Sequence, residues 1–465
     1  MDCVAAEYQT VLWDKYHLLY LDGAYGWDQF DENKVSSRVM DYVAGNLSET
    51  GENSVFRTKL CEASLLEYMF ATDNDGTGML RQASAYMKRH LPEDVAKKMY
   101  QQYQDGKKAE ADGKTEYSVE DADQAIINAK KEKEQADQND KEGAPQEEAG
   151  EKNIQDNENN HAQDAEDGKK ESPIQIVLQL KQNALLGMTV SDMSSLSAKA
   201  VEAKDMVSNR QCETGRYDMK KAEKMNVSDR VMVLEYIGKH FSDYTEPGKG
   251  DLTYEMEYIL CGKDTDKKNL ESSIERLMRM REAANVAHII ADREKLNQTL
   301  MIATSLAGFS GNPAVVKIVQ IGVVAAWAYV ESILDLRTLL SGGKISLIKS
   351  AAEWTTDLKK LGEIVTGEGK ARECKNGLSY QAYIKQLLFA MKEKKMAYRM
   401  MDIMELAMQK EQNGKNARMD HMIDNMICEL RFEAKPLFAK RSLYGDMEMG
   451  GYTFFKRQKL SYINE

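Results

Sequence analysis

The sequence Leu252-Thr-Tyr-Glu-Met-Glu-Tyr-Ile-Leu-Cys261 opens the stretch, residues 251–340, that decides the fold. Its apolar and polar residues alternate with a period close to two, which predicts a β-strand with one face in water. Gly262 ends this strand, and apolar residues then recur at near-helical spacing over residues 270–300. A long helical region is therefore expected after the strand.

Two uncharged runs follow, and together they predict a helical hairpin. Residues 296–316 carry no charge, Lys317 interrupts, and residues 318–330 are again uncharged, with a break at Gly311-Asn-Pro313 between the two arms. The first run reaches the ~20 residues that span a bilayer, so a membrane hairpin over residues 296–330 is one alternative. The second alternative is a buried hairpin at the centre of a sizeable domain, and the amide and hydroxyl side chains within residues 296–316 favour it.

Length and composition predict the fold class. A chain of 465 residues is expected to form two or three domains, and only six prolines among many Lys, Glu, Met and Ala residues favour helix. Residues 426–433, 451–455 and 459–463 show strand patterns and could join the strand at Leu252 in one antiparallel sheet. We therefore expect an α+β fold that is predominantly helical, with a central apolar helical hairpin and a small antiparallel sheet.

The charge is concentrated in one region. The formal net charge of −12 argues against a nucleic-acid partner, which would need a basic face. Residues 104–172 hold 21 Asp and Glu against 10 Lys, so they contribute −11, and they contain few apolar residues to offset their chain entropy. They predict a disordered acidic linker, with a transient helix over residues 122–133, between an N-terminal helical region (1–103) and the main α+β domain (173–465).

The beginning of the chain carries no signal peptide or transmembrane helix. Helical spacing of Val4, Tyr8 and Val11 is already present there, which leaves little room for a helix entry. We expect that residues 1–103 continue from a membrane helix that would precede Met1 and is missing from this sequence.

The cysteines show no metal-binding spacing. None forms a Cys-x-x-Cys pair or has a histidine near in sequence, so each is expected to be a small buried hydrophobe, although the even count leaves a disulfide open. The six are Cys3, Cys61, Cys212, Cys261, Cys374 and Cys428.

Two loops resemble ligand-binding motifs only in part. Asp73-Asn-Asp75-Gly76 is calcium-like, but an EF-hand would need acidic residues where Ala71 and Gln82 stand, so a polar turn is favoured. Residues 362–370 resemble a phosphate loop, but Glu368 occupies the position of the essential lysine and would repel phosphate. We expect a loop between helices there.

Acid–base candidates are few. Glu255 and Glu257 share one face of the predicted strand, so paired-carboxylate chemistry is conceivable, although a solvated strand face is favoured. His288 lies on an apolar helix and is expected to be a core or boundary residue, and the other histidines have no partners near in sequence. The methionine-rich residues 391–426 fit either core filling or a partner-binding groove.

These patterns predict a protein that is not an enzyme. No catalytic, cofactor-binding or metal-binding residue is assigned, and no cofactor is expected. The alternative is a soluble cytoplasmic enzyme or regulator with a ligand pocket at the apolar hairpin, lined by Glu255, Glu257 or His288 with shifted pKa values.

Several segments together resemble an uncharacterised family of surface proteins that accompany Tad pilus genes in anaerobic Gram-positive bacteria and are similar in layout to TadE/TadG-type pseudopilins. The segments are Ala5–Tyr8, Lys15-Tyr16, Leu21–Gly26, Leu185–Ser195, Glu235-Tyr236, His240–Tyr244, Glu257–Asp264, Asn269-Leu270, Leu378–Tyr380, Tyr383, Arg399–Asp402 and Gly450–Tyr452. The resemblance implies the extracytoplasmic domain of a membrane-anchored, pilin-like protein that acts in surface assembly or adhesion. Its partners would be other pilus or cell-surface proteins, and its place the outer face of the cell membrane.

Overall fold

The structure, a computed structural model, consists of helices and one antiparallel sheet. It describes residues 16, 21–22, 30–49, 58–112, 118–142, 172–217, 225–362, 369–410, 415–434 and 452–461. The helices are α1 (Glu32–Glu49), α2 (Asp73–His90), α3 (Glu93–Asp112), α4 (Val119–Glu142), α5 (Pro173–Lys181), α6 (Leu185–Thr189), α7 (Val227–His240), α8 (Glu255–Cys261), α9 (Asp266–Ala291), α10 (Arg293–Ala307), α11 (Pro313–Leu340), α12 (Tyr380–Phe389) and α13 (Glu393–Gln409). The strands are β1 (Leu21–Asp22), β2 (Thr58–Phe70), β3 (Met422–Ala434) and β4 (Tyr452–Ser461). The expected α+β class, mostly helical with a small antiparallel sheet, is confirmed.

Contacts divide the chain into two compact units. The first consists of residues 1–103, 197–273 and 384–465, and the second of residues 104–196 and 274–383. The ranges predicted from the sequence follow composition along the chain, whereas these units combine segments that are far apart in sequence. Residues 1–15, where the chain was expected to continue from a membrane helix, lie outside the described residues.

The sheet of the first unit is built around β3. β2 pairs antiparallel with one edge of β3, from Phe70 opposite Ile423 to Thr58 opposite Ala434. β4 pairs along the other edge, where the two strands predicted at residues 451–455 and 459–463 form one continuous strand. α1 covers the sheet, and its Val35 and Val39 belong to the buried cluster that includes Leu65, Tyr68, Ile423 and Leu430. α2 packs on α7 and α13, and α8 packs on α13.

The strand predicted from Leu252 is wrong, because residues 255–261 form helix α8. All seven of its residues are buried, so the alternation of apolar and polar residues does not separate a buried face from a solvent-exposed one. The carboxylates of Glu255 and Glu257 accept hydrogen bonds from the backbone N–H groups of Ser242 and Tyr244, which lets two acidic residues lie inside. β2, rather than this segment, supplies the second long strand of the sheet.

Helix α11 forms the centre of the second unit. Residues 322–336 are all buried, and α4, α5, α6 and α10 pack against this helix. Gly322 permits the close approach of α4, because a Cβ at this position would overlap the Cβ of Ala122. The apolar core of the hairpin is therefore the inner part of α11.

Helix α4 corrects the expectation of a disordered linker for residues 104–172. Residues 104–112 belong to α3 and residues 119–142 form α4, which is longer than the transient helix that was expected. Val119, Ala122 and Ala129 recur at helical spacing and are buried. These small side chains allow close packing, so α4 needs few large apolar residues to bind α11. Residues 143–171 lie outside the described residues.

The hairpin around Gly311-Asn-Pro313 is present, and its two arms differ in burial. Asn312 accepts a hydrogen bond from the N–H of Ala314, and Pro313 occupies the first position of α11. The outer face of α10 is exposed, most of all at Met301, which is 72% exposed. Among the described residues, α11 alone has the length and mean hydropathy to cross a membrane, and 61% of its most apolar window is buried.

Candidate functional site

Among the described residues, each unit contains a network in which several charged side chains converge. We define the Lys349 network, in the second unit, as Arg281, Asn285, Glu331, Asp335 and Lys349. We define the Arg210 network, in the first unit, as Arg210, Asp402, Glu405, Arg418 and Asp420.

The Lys349 network is a closed set of two cations and two anions. Glu331 and Asp335 lie one turn apart on α11, so both carboxylates lie on the same face of the helix. Lys349 Nζ contacts both carboxylates, with 2.5 Å to Asp335 Oδ1, and Arg281 Nε lies 3.0 Å from Asp335 Oδ2. All four side chains are 0% exposed. Asn285 joins the network by donating to Asp335 Oδ2 at 3.0 Å.

Most of the remaining hydrogen bonds of this network go to backbone, while Arg281 also donates to the hydroxyl of Tyr383 and Asn285 to that of Ser332. Arg281 donates to the carbonyl oxygens of Ser346 and Leu347, and Glu331 accepts from the N–H groups of Thr355 and Thr356. The charges cancel, and the network fastens residues 345–356 to α11. We assign it an architectural role, because its members are already paired with one another and with the backbone.

The Arg210 network is centred on one guanidinium group. Arg210 forms two parallel hydrogen bonds to Glu405, of 2.5 and 2.7 Å, and a third to Asp420 at 2.6 Å. Arg418 also binds Asp420, at 2.6 Å, and the N–H of Glu213 donates to the same carboxylate at 3.0 Å. The network therefore fixes residues 205–217 against α13 and the turn at residues 418–421.

Asp402 adds a third carboxylate, which is held by neutral donors. It lies one turn before Glu405 on α13 and accepts hydrogen bonds from the hydroxyl of Tyr258 at 2.8 Å and from the N–H of Ser208 at 2.9 Å. Burial raises the pKa of both Asp402 and Glu405, and the hydrogen bonds that they accept oppose this rise. Asp420 differs, since hydrogen bonds from Arg418, Glu213 and Arg210 outweigh burial and hold its pKa well below its usual range.

Helix α8 ends beside this network. Gly262 terminates the helix with a φ of 65°, and a Cβ there would overlap the guanidinium of Arg399. That guanidinium donates to the carbonyl oxygens of Ile259 and Leu260, which the end of a helix leaves without backbone partners. The segments Glu257–Asp264 and Arg399–Asp402 therefore meet through the Arg399 contacts and through the Tyr258–Asp402 hydrogen bond.

The acid–base candidates belong to different units. Glu255 and Glu257 accept from different backbone N–H groups and belong to the first unit, whereas His288 belongs to the second. The His288 ring stacks on Trp354 with centroids 4.9 Å apart, and burial together with Lys295 lowers its pKa. Each of these side chains has a packing role in its own unit.

The calcium-like loop is a turn at the start of α2. The Asp73 carboxylate accepts from the N–H groups of Phe70 and Gly215, and Asn74, Asp75 and Gly76 follow with positive φ angles. Across the described part of the chain, no group of three His, Cys, Asp or Glu side chains is arranged to hold a metal ion. Residues 363–368 of the phosphate-like loop lie outside the described residues.

None of the five described cysteines forms a disulfide. Cys261, Cys374 and Cys428 are buried, as expected for small hydrophobes, whereas Cys61 and Cys212 are half-buried. Burial raises the pKa of Cys212 to about 11, so this thiol is poorly suited to act as a nucleophile.

Most of the chain matches one protein family. The model of a family of unknown function, DUF5702, matches residues 163–434, which is more than half of the chain. The chain belongs to this family. Comparison with curated proteins and with solved structures gave no match. Both networks lie entirely inside the DUF5702 range, whereas β2 and β4 lie outside it.

Proposed function

We propose that this chain is the extracytoplasmic part of a membrane-anchored protein associated with a Tad pilus, and that it acts in surface assembly by protein contacts without catalysis. The resemblance to Tad-associated surface proteins supports this proposal, and membership of a family of unknown function is compatible with it. The segments that carry the resemblance supply buried structural contacts, such as those of Arg399 and Asp402, rather than an exposed reactive centre.

The observation that carries the proposal is the outer face of α10 after its first turn, which carries no charge from residue 296 onward. In a chain with 30% charged residues, residues 296–316 contain none, yet Leu300, Met301, Thr304 and Ser305 are exposed on this helix. Surfaces of this kind support protein–protein contact, because they lose little hydration free energy when covered. Asn297 and Gln298 are exposed near the start of α10, and their amides favour a protein partner over hydrocarbon, where they would lack hydrogen bonds.

The first test concerns location and gene context. The reading frame upstream of Met1 should encode an apolar helix, and the neighbouring genes should encode Tad pilus components. Protease added to intact cells should digest the protein. A cytoplasmic protein that resists protease in intact cells would contradict the proposal and favour the soluble enzyme or regulator.

The second test concerns contact. A photo-crosslinking amino acid at position 301 should form adducts with a product of the pilus gene cluster, and these adducts should be missing from a strain that lacks the cluster. The matched control is the same amino acid at Lys131, an exposed position on α4 of the same unit. Equal adducts at both positions, or normal piliation after deletion of this gene, would contradict the proposal.

A further inference from the structure

Strand β4 forms an outer edge of the sheet. Its ten residues pair with β3 from Asn425 opposite Ser461 to Ala434 opposite Tyr452. Within the part of the chain that the structure describes, no strand pairs with the other side of β4. Such an edge presents backbone N–H and C=O groups that can hydrogen-bond to an added strand.

Aromatic side chains are exposed on both faces of this edge strand. Tyr452 and Phe455 are more than 60% exposed, and Phe454, which stacks on Phe432 of β3, is 44% exposed. Successive residues of a strand point to opposite faces, so an added strand would meet aromatic surface on either side. Because exposed aromatic residues on an edge promote unwanted pairing, protection from aggregation does not explain them.

The charge of β4 indicates what kind of strand fits. Tyr452–Ser461 contains Lys456, Arg457 and Lys459 and no acidic residue, so it carries +3 in a chain with a net charge of −12. Arg457 forms an ion pair with Glu429 on β3, with 2.8 Å between Nε and Oε1. Two copies of β4 paired edge to edge would bring these cations together, and like charges across a strand pair are destabilising. A second copy is therefore disfavoured, and an acidic strand is complementary.

We propose that the outer edge of β4 binds an extended acidic segment of a partner protein by strand addition. The backbone of the segment would continue the sheet, its apolar side chains would cover Tyr452, Phe454 and Phe455, and its carboxylates would face the cations. This edge shares no residue with the outer face of α10, so the proposal stands or falls independently of the pilus assignment.

A peptide probe tests the chemistry. The probe is a ten-residue peptide that alternates glutamate with valine and tyrosine, and the control peptide has lysine at every glutamate position. Fluorescence anisotropy with the full chain should give at least tenfold tighter binding of the glutamate peptide, and this difference should shrink as salt is raised. No binding of the glutamate peptide at millimolar concentration, or equal binding of both peptides, would overturn the proposal.

Variants and hydrogen exchange locate the binding. The double variant K456E/K459E should bind the glutamate peptide at least tenfold more weakly and the lysine peptide more tightly. The control variant K130E/K131E on α4 should change the affinity for neither peptide. Unchanged exchange of β3 amides in the free variant would show that the sheet is intact. The bound peptide should slow exchange in residues 452–461; binding without this protection, or self-association that K456E/K459E abolishes, would overturn strand addition to a partner.

Discussion

The two buried networks fasten irregular segments to helices in different ways. The Lys349 network ties residues 345–356 to α11 with two cations and two anions, all of them removed from water. The Arg210 network ties residues 205–217 to α13 with two guanidinium groups against three carboxylates. It also reaches the surface, since the side chain of Arg418 is 35% exposed.

This difference determines how each network tolerates change. In the closed network, removal of one charge leaves a buried partner that water cannot solvate. In the open network, water reaches one end, because the side chains of Arg418 and Arg210 are 35% and 15% exposed, so an unpaired charge there keeps part of its hydration. The loss of one charged side chain should therefore lower the free energy of unfolding more in the Lys349 network than in the Arg210 network.

The largest effect is expected for Lys349→Met. This change leaves Glu331 without its buried cation and leaves Asp335 with Arg281 alone, so the second unit should lose about 3–5 kcal/mol of stability. Native-state hydrogen exchange in residues 322–340 would measure the loss, with residues 422–434 of the first unit as internal reference. A loss below 1 kcal/mol would contradict the closed character of the network.

The double variant K349M/E331Q is the matched control. It removes one cation and one anion, which leaves Arg281 and Asp335 as a balanced pair, so it should recover more than half of the stability lost in K349M. If the double variant is no more stable than K349M, lost packing of the lysine side chain rather than unpaired charge explains the effect.

A smaller effect, about 2 kcal/mol at neutral pH, is expected for Asp420→Asn. Asp420 accepts from Arg210, Arg418 and the N–H of Glu213, but both arginines retain some access to water. Because the folded-state pKa of Asp420 is depressed, its stabilisation is present above the unfolded value of about 4 and is lost as pH falls through the folded value. Unfolding curves of wild type and variant should therefore converge in acid; a constant difference from pH 7 to pH 2 would contradict this assignment.

Part of the fold could be predicted from the sequence, because local signals and tertiary contacts agree there. The hairpin break at Gly311-Asn-Pro313 combines a turn, an N-cap and a first-turn proline, and the structure uses them in these roles. The strand pattern at residues 426–433 became β3, which is flanked by strands on both sides. Arg281 is a charged residue within the apolar spacing of residues 270–300, and the structure places it in the Lys349 network.

Other elements could not be predicted, because distant residues decide them. The spacing of Glu255 and Glu257 is that of a strand with one solvent-exposed face. Both carboxylates are nevertheless buried, because they accept hydrogen bonds from the backbone N–H groups of residues 242 and 244. Helix α4 has the composition of a linker and is stabilised by its fit to Gly322 on α11. The Arg210 network joins residues about 200 positions apart in sequence, and no local spacing signals that convergence.

Asp402→Asn should have a smaller effect, below about 1 kcal/mol at neutral pH. The amide oxygen can still accept from the N–H of Ser208, the Tyr258 hydroxyl can turn to accept from the amide NH2, and the variant no longer holds a buried negative charge. Burial raises the folded-state pKa of Asp402, so wild-type stability falls as pH rises from the unfolded value, about 4, through the raised one. The variant should lack this decline, and denaturant unfolding from pH 4 to pH 8 would measure it; a variant that loses stability more steeply than wild type with rising pH would contradict the assignment.

The smallest effect is expected for Arg457→Ala, which tests whether exposure rather than chemistry separates the two classes of ion pair. Arg457 and Glu429 form the same kind of guanidinium–carboxylate contact as Arg281 and Asp335, at 2.8 Å, but the arginine side chain is 72% exposed. A double-mutant cycle with E429A should give a coupling energy of about 0.5 kcal/mol or less, which 1 M salt should reduce further. A coupling above 1.5 kcal/mol would mean that burial is not what makes the Lys349 network strong, and that the geometry of the paired groups suffices.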